Sequence, residues 1–121
     1  MRNAANKYGA NKTMFGGRIY DSAAEADRAA ELVLLFKAGE IGGWSQQPRV
    51  ELVAGIFYRP DFAYIERGRL IFEDVKGVAT DRFRIICKLW REFGPGLLRV
   101  TKRRSRKSGF MVVKEIPGGK A

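Results

Sequence analysis

Two aspartates on either side of a tight turn are the residues of this sequence best suited to chemistry. From Tyr58 to Gly77 the chain reads Tyr-Arg-Pro-Asp-Phe-Ala-Tyr-Ile-Glu-Arg-Gly-Arg-Leu-Ile-Phe-Glu-Asp-Val-Lys-Gly. Aromatic and β-branched residues flank Glu66-Arg67-Gly68-Arg69, the pattern of a β-hairpin. With Arg67-Gly68 as a two-residue loop, Gly68 supplies a positive φ, Glu66 opposes Arg69, and Asp61 opposes Asp74. Side chains alternate along a strand, so Arg59, Asp61, Ala63 and Ile65 share a face with Lys76, Asp74, Phe72 and Leu70. That face is apolar near the turn and charged at its far end. Directly opposed carboxylates, with Cβ atoms roughly 5 Å apart, repel each other. A hard cation such as Mg²⁺ makes the pair favourable, because it binds through one or two carboxylates plus substrate oxygens. A solvated sheet edge would also tolerate these charges, but Ala63, Phe72 and Leu70 on the same face argue for burial.

Composition narrows the chemistry further. The 121 residues suffice for one domain with a single modest core. A formal net charge of +10 points to a polyanionic partner, most simply nucleic acid. With no histidine, a Ser-His-Asp triad and any histidine metal ligand are excluded. The single Cys87 permits neither an internal disulfide nor a cysteine zinc cluster. What remains is carboxylates, lysines and a hard metal. No apolar run approaches the ~18 residues of a membrane span and no signal-peptide pattern is read, so the expectation is a cytoplasmic protein with no membrane partner.

The elements that must position these residues can be read in order. Residues 1–17 read as a flexible basic arm. Ser22 and Glu25 form a capping box opening a helix from Ala23 to about Ala38, closed by Gly39. Glu25, Ala29, Leu32 and Phe36 fall on one helical stripe, with Glu25 at its head. Ile41 to Ser45 reads as a glycine-containing loop, and Arg49 to Val53 as a short strand with a turn at Ala54-Gly55. If that turn has two residues, Gln46 shares the face of Asp61. A second helix runs from Thr80 or Asp81 to Phe93, with Phe83, Ile86, Cys87, Trp90 and Phe93 as its apolar face. Leu97 to Thr101 reads as a buried strand. Residues 102–109, with Lys102, Arg103, Arg104, Arg106 and Lys107, read as a basic loop suited to phosphate contact, and Phe110 to Val113 as one further strand. The predicted fold class is α/β in the order αβββαβ, a mixed, mainly antiparallel sheet flanked by helices. The first helix is expected on the face that carries Asp61 and Asp74.

These residues also carry a resemblance. Pro60-Asp61, a hairpin, then Asp74-Val75-Lys76 resembles the PD-(D/E)XK signature of the restriction-endonuclease-like superfamily. The wider pattern includes Lys7-Tyr8-Gly9, Asn11-Lys12-Thr13, Phe-Gly-Gly before Arg18, Asp21-Ser22 with Glu25-Ala26, Gln47-Pro48, Asp61-Phe62 and Glu73-Asp74-Val75-Lys76-Gly77. In this order it resembles a small family of phage-encoded endonucleases like Holliday junction resolvases, over nearly the whole chain up to about Phe93. The connection from Leu52 to Tyr58 is shorter than the resemblance leads one to expect.

The resemblance implies a metal-dependent endonuclease of branched DNA, in the host cytoplasm. Mg²⁺, with Mn²⁺ as substitute, would be ligated by Asp61, Asp74 and the carbonyl of Val75, assisted by Glu25. Lys76 would position or deprotonate the attacking water or stabilise developing charge. The resemblance selects Gln47, not Gln46, as the site glutamine, and it adds Lys12, Arg18 and Lys88 to the DNA contacts. Symmetric incision of a junction needs two sites, so a homodimer is expected, with Trp44, Ile56 and Phe57 as candidates for its interface. The rival expectations are a DNA-binding accessory protein of recombination or packaging without turnover, and a sequence-specific duplex endonuclease.

Overall fold

The central hairpin closes at Arg67 and Gly68, whose φ angles of 51° and 76° are those of a two-residue turn matched to strand twist. Its ladder pairs Glu66 with Arg69 and runs through Ala63↔Phe72 to Phe62↔Glu73, the register expected from the sequence. In this computed structural model the described residues are 13–15, 18–20, 22–76, 80–105 and 109–121, with backbone alone for 13–15 and 18–20. The elements in chain order are β1 (Thr13–Phe15), β2 (Arg18–Tyr20), α1 (Ala23–Lys37), β3 (Gly42–Gln46), β4 (Val50–Val53), β5 (Ile56–Tyr58), β6 (Phe62–Glu66), β7 (Arg69–Val75), α2 (Asp81–Phe93), β8 (Leu97–Ser105) and β9 (Gly109–Pro117).

The main sheet has five strands in the order β3-β6-β7-β8-β9, while β1-β2 and β4-β5 form separate two-stranded ladders. Only the β7–β8 pairing is parallel among the described strands, and α2 supplies the crossover such a pairing requires. The protein is therefore an α/β fold whose mixed, mainly antiparallel sheet is flanked by two helices.

Each helix begins where a hydroxyl accepts an otherwise orphaned N–H. Ser22 Oγ accepts from Glu25 N at 3.1 Å, and Thr80 Oγ1 accepts from Phe83 N at 3.1 Å, satisfying first-turn donors. The two helices bury different cores. On one side Ala26, Ala29 and Leu32 of α1 meet Phe62, Tyr64, Ile71 and Leu97. On the other, Phe83, Ile86, Cys87 and Trp90 of α2 meet Ala63, Phe72, Leu98 and Val100. Trp90 centres this second core, edge-on to Phe72 at 5.2 Å between ring centroids, with its Nε1–H donated to Gly96 O at 2.9 Å.

Five expectations are corrected. The face of Asp61 and Asp74 is covered by α2, not α1: Asp74 pairs with Val100, a member of the α2 core. The buried stripe of α1 is Ala26-Ala29-Leu32, with Leu35 packing beside it, so Phe36 is left 48% exposed. Residues 42–46 are an edge strand rather than a loop, because pairing with β6 satisfies backbone that glycine alone would leave irregular; a bulge between Gly42 and Ser45 absorbs the irregularity. Lys102 to Ser105 continue β8, paired to β9 through Lys102↔Met111 and Arg103↔Phe110, so the basic stretch is strand as far as 105. Of the supposed flexible arm, 13–15 is a strand paired to β2, and residues 1–12, 16 and 17 lie outside the described residues.

One buried charge network ties α1 to the sheet. Glu73 is fully buried and accepts from Arg28 Nε at 2.7 Å and Nη2 at 2.9 Å, from Tyr64 at 2.5 Å and from Thr101 at 2.8 Å. Both carboxylate oxygens are thus doubly satisfied, the condition under which a buried ion pair is tolerated. Replacing Arg28 with methionine strands the Glu73 charge and is expected to cost about 3–5 kcal/mol of stability, read from urea unfolding, whereas Arg28→Met with Glu73→Met recovers part of the loss.

Candidate active site and basic groove

Asp61 follows the buried Pro60 at the open end of the hairpin, and Asp74 stands one residue before the end of β7. The ladder stops one pair short of them, which leaves the two carboxyls close enough for the charge of Asp74 to act on Asp61. Asp61 Oδ2 also accepts the N–H of Val75 at 2.7 Å. Asp74, only 4% exposed, accepts from the Tyr58 hydroxyl at Oδ2 and has Lys76 Nζ 3.3 Å from Oδ1. The same ammonium lies 4.4 Å from the Phe83 ring centroid, and the Lys76 N–H is fixed on Thr101 O at 2.9 Å.

The electrostatics are those of crowded negative charge. Burial, then the charges of Asp74 and Glu25, hold the Asp61 carboxyl well above the usual carboxylate range, against the smaller opposing effect of the Val75 N–H. Burial, followed by the charge of Asp74, likewise pushes the Tyr58 phenol up, keeping it a hydrogen-bond donor.

Glu25 lies in the first turn of α1, half-buried, near enough for its charge to act on Asp61. Gln47 stands level with Asp61, donating its N–H to Asp61 O at 2.8 Å. Gln46 pairs instead with Phe62, which belongs to the α1 core. A register shift between Glu51 and Val53 in the β4–β5 ladder displaces the pairing by one residue from that of a two-residue turn, which would have put Gln46 on the site face. Among the described residues no group of three or more His, Cys, Asp or Glu side chains is assembled to hold a metal ion. What the structure offers a hard cation is the Asp61–Asp74 pair, an excess of buried negative charge of the kind such a cation relieves, and two carboxylates are enough for Mg²⁺.

The candidate DNA contacts separate. Lys88 and Lys102 are exposed and line one groove. Arg104 is exposed on β8. Arg103 is engaged in the fold, bonded to Asp27 and to Ala23 O with its guanidinium 5.8 Å from the Phe110 ring centroid. Arg18 is described only as backbone in β2, while Lys12, Arg106 and Lys107 lie outside the described residues.

The groove itself was not read from the sequence. It is a depression of about 470 Å³ between α2 and the β8–β9 hairpin. Arg84 and Arg91 join Lys88 on its helical wall, and Lys102 and Lys114 form the opposite wall. Its floor is apolar, made by Phe83, Cys87, Val100 and Val113. Lys76 lines it as well, so one residue of the groove is also in contact with Asp74. Arg84, Lys88 and Arg91 recur at helical spacing, the one local signal of this wall; Lys114 is brought in by β9 alone.

Of the interface candidates, Trp44 packs on Phe62 at 6.0 Å between ring centroids, Phe57 carries Arg49 over its ring, and Ile56 is exposed. No helix among the described residues is long and apolar enough to cross a membrane.

The fold and site define a small basic α/β protein with an acid pair at the mouth of a cationic groove. The chain belongs to the family described as "Protein of unknown function (DUF1064)", whose model matches residues 5–107. No curated protein matches it.

The raised Asp61 carboxyl makes stability depend on pH. The folded chain binds a proton that the unfolded chain, titrating near 3.8, has already released. Its contribution is therefore fully present below that value and declines as pH rises above it. In EDTA, Asp61→Asn is expected to melt above the wild type at about pH 8, with the gap closing toward about pH 4. A gap that does not change with pH would contradict the assignment.

Proposed function

We propose that the protein is a metal-dependent DNA endonuclease that hydrolyses phosphodiester bonds, with branched DNA of the Holliday-junction type as its substrate class. The observation that carries this reading is the juxtaposition of Asp61 and Asp74 at the open end of the hairpin with Lys76 on Asp74, beside a groove walled by lysines and arginines that Lys76 also lines. Phosphate binding alone needs no buried acid pair. The resemblance of Pro60-Asp61 and Asp74-Val75-Lys76 to the PD-(D/E)XK signature supports the same reading.

Mg²⁺ or Mn²⁺ would be held by Asp61 and Asp74, with the Val75 carbonyl and Glu25 assisting, and supplies there an acidified water and charge neutralisation at the phosphate. The remaining work belongs to the chain. Tyr58 and the Val75 N–H hold one oxygen of each aspartate, fixing their orientation. Lys76, a third exposed at its side chain, reaches solvent beside the pair, where its ammonium can orient the attacking water or stabilise charge on the phosphate oxygens. The groove cations bind the strand. A symmetric homodimer would present two such sites to a junction, which sedimentation with and without junction DNA tests.

The second reading, a DNA-binding accessory protein without turnover, is favoured by one observation: both oxygens of Asp74 already have protein partners. Four-way junction, flap and linear duplex are to be incubated in Mg²⁺, Mn²⁺ and EDTA. The expected result is cleavage of the junction, lost in EDTA and in Asp74→Asn, with DNA binding retained or tighter in the mutant. Lys76→Ala is expected to slow cleavage about 10²-fold or more. Binding without cleavage in either metal selects the accessory protein, and full activity of Asp74→Asn removes the site.

A further inference from the structure

The apolar floor of the cationic groove is not explained by phosphate binding. A stacked duplex shows a groove of this kind its phosphates and sugars, and those need only the walls. Here Phe83, Cys87 and Val100 are buried beneath the depression, and Val113 stands over them 56% exposed. Among the described residues Lys88, Arg91, Lys102 and Lys114 make no ion pair with a carboxylate, so their charge is available to a ligand. The volume of about 470 Å³ falls among those of small-molecule pockets, ~300–1,000 Å³, and has room for a nucleotide-sized group. The groove is also linked to the acid pair through Lys76. Lys76 contacts Asp74 and lines the groove, and the Cys87 thiol feels the charges of Lys114 and Arg91 as well as that of Asp74.

We infer that this groove is a subsite for an unpaired nucleotide, its base laid on the Val113–Val100–Phe83 floor and its flanking phosphates held by Lys88, Arg91 and Lys114. The inference rests on the endonuclease reading and deepens it. A nucleotide unstacked beside the scissile phosphate is found at a branch or an end and not within linear duplex, which gives the chain a means of choosing branched DNA. Apolar contact with a base serves any sequence, because every base has an apolar face.

The test is made with the full chain in EDTA, comparing a twelve-nucleotide oligothymidylate with an abasic strand of the same length and charge by fluorescence anisotropy. Wild-type protein is expected to bind the thymidylate about tenfold tighter, the equivalent of about 1.4 kcal/mol. Val113→Glu, at an exposed position, is expected to erase that preference. Lys88→Ala with Lys114→Ala is expected to weaken both strands alike and to flatten the salt dependence by about 0.7 in log–log slope per lost contact. Equal affinity for the two strands, no measurable binding of either, or a preference that survives Val113→Glu overturns the subsite. A preference for bases in a protein that cleaves nothing leaves the subsite standing and removes the nuclease.

Discussion

A strand has two faces, and β7 places a buried carboxylate on each of them in succession. Glu73 points to α1 and Asp74 to α2, and burial leaves neither in contact with bulk water. The two are handled differently. Glu73 receives a guanidinium and two hydroxyls, four hydrogen bonds in all, and becomes a rigid strut between helix and sheet. Asp74 receives one phenol and one lysine but also a second carboxyl. One side of the strand is electrostatically closed, and the other sets two carboxyls against a single ammonium. The rest of the molecule follows from that asymmetry: α1 is anchored where charge is balanced, and the site opens where it is not.

The second helix serves both the core and the groove. Its apolar face supplies the core beneath Asp74, which removes water from the acid pair and raises the Asp61 carboxyl. Its flank supplies Arg84, Lys88 and Arg91 to the groove wall. Desolvation of the acids and attraction of a polyanion therefore come from a single element. Lys76 lies between the two regions, on the acid pair on one side and along the groove on the other. A ligand phosphate held in the groove would approach the pair past this ammonium.

Local rules account for much of what could be read in advance. The turn at Arg67-Gly68 needs positive φ at adjacent residues, and once it is placed the period of two carries Asp61 to Asp74 without further information. Ser22 and Thr80 announce the two helix starts because a hydroxyl at that position satisfies a first-turn N–H. The α2 stripe of Phe83, Ile86, Cys87 and Trp90 is visible because its spacing keeps one side of the helix apolar. The α1 stripe was harder, since alanines and leucines lie around much of that helix and several stripes compete; Phe36 lost to Leu35.

What the sequence by itself determined was thus the set of local structures and the acid pair, each specified by residues within one turn or one hairpin of each other. Which helix covers which face was decided only by the tertiary structure, because both helices offer an apolar stripe and the choice lies in contacts 45 residues apart, such as Arg28 with Glu73. The same holds for the edge strand Gly42–Gln46, whose glycines favour a loop until β6 supplies its hydrogen bonds. It holds for Gln47, brought level with Asp61 by a register shift between Glu51 and Val53. It holds most of all for the groove, where Lys88 and Lys114 become neighbours across α2 and β9. Like charges do not seek each other along a chain, so no local preference announces their meeting; packing of the core beneath them brings them together.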